Sequence, residues 1–301
     1  MRALPEETLH DPVERGPYRM AMGLTVVPDQ DWFEIDALYP AEMAEKRRLL
    51  AEQHADVFAA TSGSDVAGAE ALAMVVANLT THHPDWFSNT DGTLANHLTG
   101  ETWDLGAAEP LELAGRLVQE DLCIVQNRPE GPVFTAGVLC FPSRWRLNEK
   151  IGRPLTEVHA PVPLYADRLA GPVDRFMRHL KPGRIANRLN WSILDDPALF
   201  QPAGKWRSER NDAITAQNAG DTLFLRVERQ TLRRLPNSGA VLFGIRVHVY
   251  PLHRVCSPGL AAAVRALPEA LSHYKSFPAF RSALLAWLDR MGSAYTDPFG
   301  N

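Results

Sequence analysis

Hydrophobic and polar positions follow two different periods along this chain, and the change between them divides it. Over 41–60, Met43, Leu49, Leu50, Val57 and Phe58 recur at roughly helical spacing, with Lys46, Arg47 and Arg48 on the other face. A second helix is predicted over 65–79, which is Ala-rich and carries Leu72, Val75 and Val76. Residues 80–110 are rich in turn formers and hold Trp86 and Trp103. Residues 1–110 therefore read as a helical arm or cap.

From about residue 112 the period shortens. Residues 121–126 and 133–141 read as a β-hairpin around the turn Asn127-Arg-Pro-Glu-Gly131. A short helix over 144–152, a proline-rich loop over 153–163 and a helix over 164–180 follow. Gly171-Pro172 is expected to kink that last helix, because proline cannot donate to the preceding turn. Three strands come next, over 184–194, 222–232 and 240–250. In the last, Val241, Phe243, Ile245 and Val247 share a face. Residues 258–291 are helical again, with Phe280, Leu284, Trp287, Leu288 and Met291 as the apolar stripe. This is the element order of a PAS-like domain. The predicted class is α+β: a five-stranded antiparallel sheet over 111–252 with flanking helices, a helical extension over 1–110, and C-terminal helices over 253–301 packed on it.

Composition narrows the function. The 301 residues are 45% hydrophobic and 22% charged, enough for a substantial core, and the net charge of −5 disfavours nucleic acid or an anionic membrane as partner. Cys123, Cys140 and Cys256 are scattered without a CxxC, which points to a reducing compartment and away from an iron–sulfur or zinc cluster. The first twelve residues are acidic and broken by prolines, unlike a signal peptide. No apolar run approaches the ~20 residues of a membrane span, so a cytoplasmic protein is expected.

Several longer stretches carry more information. They are Gln119-Glu-Asp-Leu122, Phe141-Pro-Ser-Arg-Trp-Arg-Leu-Asn-Glu-Lys-Ile-Gly152, Glu157-Val-His-Ala-Pro-Val-Pro163, Arg188-Leu-Asn-Trp-Ser192 and Arg226-Val-Glu-Arg-Gln-Thr-Leu-Arg-Arg-Leu-Pro236. Gly23-Leu24 and the run from Asp31-Trp32 to Arg48 fit with them. Together, over roughly 18–252, they resemble the haem-dependent oxidative N-demethylase family. The resemblance implies a PAS-fold catalytic subunit that binds haem b. It also implies removal of a methyl group from a small amine such as dimethylamine, with dioxygen as oxidant and electrons from a separate flavin and iron–sulfur reductase.

A haem needs an axial ligand, an apolar slot and cations for its propionates. Among ten histidines, His159 stands in the loop before the 164–180 helix, where a PAS pocket opens, with Pro161 and Pro163 stiffening the backbone. It is the expected iron ligand; the alternative is a histidine that only hydrogen-bonds its own loop. His179 and His248 are the other candidates. In the strands, Arg188 and Asn190 share one face, with Leu189, Trp191 and Ile193 on the other. Arg226, Glu228 and Gln230 share a face opposite Arg229, Thr231 and Arg233. Through the resemblance, Arg188, Asn190, Trp191, Arg229 and Arg246 are expected to hold the cofactor, and Arg226, Glu228 and Tyr165 to act on the substrate. Glu228 suits an alkylammonium as a counter-charge, and Trp191 or Tyr165 as an aromatic wall. The plainer reading of the charged strands is a solvated sheet with cross-strand ion pairs, each worth about 0–1 kcal/mol. Glu149-Lys150 reads as a solvated pair, and Glu120-Asp121 as a cap or an arginine partner. A non-catalytic haem or gas sensor and a haem-free binding protein of the same fold are the rival functions, although no output-domain motif accompanies the chain.

Overall fold

The computed structural model describes residues 2–13, 20–255 and 257–296; Cys256 lies outside them. Among these residues the strands are β1 (Thr25–Val27), β2 (Phe58–Ala60), β3 (Phe87–Thr90), β4 (Thr93–Asn96), β5 (Glu101–Asp104), β6 (Asp121–Arg128), β7 (Gly131–Val138), β8 (Ile185–Leu194), β9 (Phe224–Arg234) and β10 (Val241–Pro251). The α-helices are α1 (Tyr39–Glu52), α2 (His54–Val57), α3 (Asp65–His82), α4 (Pro110–Gly115), α5 (Leu155–Val158), α6 (Tyr165–Arg168), α7 (Ala170–His179), α8 (Ala219–Thr222), α9 (Pro258–Ala266), α10 (Glu269–Tyr274) and α11 (Arg281–Thr296). None is long and apolar enough to cross a membrane.

The class is α+β, as the periodicity predicts, but the main sheet has seven strands rather than five. Its order is β1-β8-β9-β10-β6-β7-β2, antiparallel throughout. The five expected strands form its centre. The two added edges, β1 and β2, are only three residues long, too short for a period to be read from sequence. Both come from the N-terminal 110 residues. That segment also forms a second sheet, β3-β4-β5, in the stretch expected to be only turns.

Other local expectations shift for identifiable reasons. The 144–152 segment keeps only a 3-10 turn, Leu147–Glu149, and its Arg144 sits in the left-handed region at φ 59°. The 164–180 helix is divided into α6 and α7. Pro172 falls in the first turn of α7, where its missing N–H costs nothing, so it starts a helix rather than kinking one. Lys46, expected on a solvated helix face, is fully buried, with its ammonium donating to the carbonyls of Val118 (2.9 Å) and Glu120 (2.6 Å).

Strand alternation assigns the faces. Across the register Arg188↔Gln230, Asn190↔Glu228, Gln230↔Ile245 and Leu232↔Phe243, opposed residues point the same way. This face is roofed by the 143–163 loops, α6 and α7. Toward one end of the other face, N-terminal residues such as Trp32, Phe33 and Ile35 join the core of the sheet. Toward the other end, Ile193, Leu225, Val227 and Tyr250 pack with Leu260, Phe277 and Leu284 of the C-terminal helices.

Candidate functional site

Between the first face and its roof lies a cavity of about 670 Å³, within the usual range for a small-molecule or cofactor site. Its floor is polar on one side and apolar on the other. Arg188, Asn190, Arg226, Glu228 and Gln230 come from β8 and β9, while Cys123, Val125, Phe134, Phe243 and Ile245 complete the apolar part. Val158, Val162, Val173, Phe176 and Met177 form an apolar wall.

His159 projects from the end of α5 into this space. Its Nδ1 lies 2.8 Å from the Leu155 carbonyl, one turn back, so Nδ1 carries the proton and Nε2 is left as the basic nitrogen. The ring is stacked on Tyr165. Burial, with the positive charges of Lys150, Arg188 and Lys205, outweighs the Leu155 bond and pushes its pKa down to about 4. The imidazole is therefore neutral at neutral pH. The loop hydrogen bond of the plainer reading is present, and the side chain also lines the cavity. Tyr165 is buried, and its hydroxyl has no hydrogen-bond partner among the described residues. Burial pushes that hydroxyl up to about 12.

Among the described residues, six cationic side chains line the cavity, Arg144, Lys150, Arg188, Lys205, Arg226 and Lys275, against two carboxylates, Asp11 and Glu228. Burial lowers Lys150 to about 8, Lys205 to about 7 and Lys275 to about 8, with Lys150 and Lys275 both repelling Lys205. Lys150 donates to the Val158 carbonyl at 2.7 Å and lies 4.9 Å from the centroid of Trp145. It is not the solvated residue its neighbour Glu149 suggests. Lys205 donates to the Tyr274 hydroxyl, and Lys275 to the carbonyl of Trp191, over whose ring it sits. Arg144 pairs with Asp195 at 2.8 Å. Lys205 and Lys275 were not singled out from sequence, because neither falls on a periodic face. The one available signal is that each adjoins an aromatic residue, Trp206 or Tyr274.

The remaining candidates separate by face. Glu228 Oε2 accepts from Asn190 Nδ2 (3.0 Å) and Gln230 Nε2 (2.9 Å), which fixes the carboxylate in the cavity floor and leaves Oε1 out of both bonds. Arg226 reaches the cavity but donates to the carbonyls of Phe141 (2.8 Å), Leu199 (3.0 Å) and Ala198 (3.1 Å), so its first task is to hold two loops. Burial lowers it to about 10. Trp191 lines the cavity from the edge of the C-terminal core.

Arg229 and Arg246 do not line the cavity. Their side chains alternate onto the opposite face, where Arg229 donates to the Trp32 carbonyl at 3.1 Å and pairs with Glu34. Arg246 is fully buried between Asp36 (2.9 Å) and Glu42 (2.8 Å), and Gln119 bridges those two carboxylates. Glu120 accepts from the Glu34 amide and Asp121 from the amides of Cys140 and Phe141, so the Gln119–Asp121 run ties the arm to the sheet. Burial raises these two acids to about 7 and about 6. His248 is on this face too, and His179 is exposed at the end of α7, its Nδ1 on the Arg175 carbonyl.

A pinned neutral imidazole, an apolar slot and a cationic rim make a site for a flat, largely apolar ligand that carries carboxylates. The family model described as "haem-dependent oxidative N-demethylase, alpha subunit-like" matches residues 23–285. That span covers most of the chain and every strand from β1 to β10, and this protein belongs to that family.

Proposed function

We propose that the cavity would hold haem b, with His159 Nε2 as the atom that would bind its iron, and that the protein carries out oxidative N-demethylation of a small alkylamine such as dimethylamine. The observation that carries this reading is the hydrogen bond from His159 Nδ1 to Leu155, which orients the imidazole and fixes its tautomer beside the apolar slot. The donor set fits the group. The apolar walls suit a macrocycle, and Arg188, Lys205 and Lys275 suit the propionates, whose negative charge would offset their mutual repulsion. The unpartnered Tyr165 hydroxyl offers a further polar contact inside the cavity.

Bound haem supplies the oxidation of an N-methyl carbon by dioxygen, with formaldehyde as the carbon product. The chain's own residues prepare for it. Glu228 holds the ammonium group by charge, with Asn190 and Gln230 fixing its orientation, and receives the proton the amine gives up. Trp191 bounds the substrate side, and Arg226 keeps the 141–142 and 198–199 loops closed over the floor, which excludes water. The segment 111–252 is the PAS-like catalytic part, the described residues before it are its cap and add the edge strands β1 and β2, and 257–296 pack on it as a support. The words "alpha subunit-like" in the family's description suit a chain that draws electrons from a separate flavin and iron–sulfur reductase in the cytoplasm. Haem-loaded protein given dioxygen, dimethylamine and a chemical reductant should release formaldehyde in step with amine consumed. Oxygen uptake that ignores the amine would overturn the assignment.

A further inference from the structure

On the far side of the sheet from the cavity, three side chains from distant parts of the sequence converge. They are His10 and Glu34 of the N-terminal segment and His248 of β10. Their ligand atoms all lie within 4.8 Å of one another. Glu34 Oε2 is 3.1 Å from His10 Nε2 and 2.9 Å from His248 Nε2. In tetrahedral zinc sites, nitrogen and oxygen ligands stand about 2.0–2.2 Å from the metal and hence about 3.3 Å from each other. Two of the three separations are thus already near an edge of such a polyhedron, and the third, at no more than 4.8 Å, closes by a side-chain adjustment of the partly exposed His10.

The surroundings favour an ion over a simple hydrogen-bonded triad. His248 has a fully buried side chain, and its Nδ1 has no hydrogen-bond partner. Glu7 faces that nitrogen, its Oε1 3.8 Å away and likewise buried with no hydrogen-bond partner among the described residues. A metal on Nε2 puts the proton on Nδ1, where a small closure makes Glu7 its acceptor, the carboxylate–histidine–metal arrangement that orients ligands in metal sites. Arg229 opposes an ion, but it pairs with the other oxygen, Glu34 Oε1, at 3.1 Å, an oxygen that His10 Nε2 also approaches at 3.0 Å, and Arg254 lies 3.9 Å from Glu7 Oε2. Oε2 remains for the metal. Arg246 on the neighbouring position of β10 is already paired with Asp36 and Glu42. His10 and Glu34 are partly exposed, at 16% and 19%, so solvent can supply the fourth ligand.

We propose that His10 Nε2, Glu34 Oε2 and His248 Nε2 bind a divalent zinc ion that fastens the N-terminal segment to the sheet, independently of the haem cavity. The full-length protein, dialysed against a chelator, would be titrated with Zn²⁺ against a chromophoric competitor, and bound zinc counted by mass spectrometry. One zinc per chain is expected. His10→Asn and Glu34→Gln should each abolish it, and Glu7→Gln should weaken it about 10–100-fold, the usual effect of losing such an outer partner. His10 lies in the arm, outside both hydrophobic clusters, and asparagine keeps a polar side chain there, so its variant separates zinc loss from misfolding, with circular dichroism confirming the fold. Cobalt substitution should give visible d–d bands that vanish in His10→Asn. Absence of zinc binding by the wild type, or undiminished binding by His10→Asn, would overturn the proposal.

Discussion

The imidazole of His159 lies flat against the ring of Tyr165, centroids 4.4 Å apart and planes inclined by 11°. With the Leu155 bond, this stack leaves the imidazole one orientation. Tyr165→Phe keeps the stack and removes a hydroxyl that has no partner. Haem content should be unchanged, and the apoprotein as stable or about 1 kcal/mol more so. Tyr165→Ala should cost about 3–5 kcal/mol and weaken haem binding. Haem titration and thermal melts of the two variants check both outcomes.

The buried His159 gives the apoprotein a pH signature. Its folded pKa, about 4, lies below its ordinary value of 6.5. As pH falls from 6.5 toward 4, the unfolded chain takes up a proton that the folded chain refuses, so stability drops across that window. The size is on the order of 3 kcal/mol. Denaturant melts of apo wild type and His159→Gln should differ in slope between pH 4 and 6.5. Parallel slopes would mean the imidazole is not buried.

Glu228→Gln keeps the shape of the cavity floor and removes its charge. Loss of a charged hydrogen-bond acceptor for the amine, worth about 1.5–3 kcal/mol, should reduce kcat/KM about 10–100-fold, with KM raised by the lost counter-charge and kcat lowered by the lost proton acceptor. Haem content should be normal, which absorption of the purified variant verifies. A variant with wild-type KM would remove Glu228 from the substrate site.

Arg246 serves the fold rather than the cavity. Arg246→Met leaves Asp36 and Glu42 buried without their cation. A loss of about 3–5 kcal/mol follows, a fall in Tm on the order of 10 °C. Haem absorption at low temperature should be kept. Normal thermal stability would contradict the buried pair.

How much of this was legible in the sequence depends on period. The strand alternation of Arg226, Glu228 and Gln230 against Arg229 and Thr231 was readable, because a two-residue period assigns faces without coordinates. Which face is the cavity is not readable that way, and Arg229 and Arg246 lie on the face opposite the cavity. The short β1 and β2 edges carry no period at all. Lys46 shows the limit of helical patterning: an ammonium on the apparent polar face is buried because two carbonyls from 118 and 120 meet it, a contact that no local pattern encodes. The place of His159 on the cavity lining is readable only from its proline-flanked loop and the family motifs around it.

The most direct test is the visible spectrum of the purified protein beside that of His159→Ala, each recorded after reconstitution with haem. Wild type should show a Soret band with one haem per chain, and His159→Ala should lose it, or show the spectrum of a changed axial ligand, while retaining wild-type circular dichroism. An identical Soret band in both proteins would show that His159 does not hold the iron.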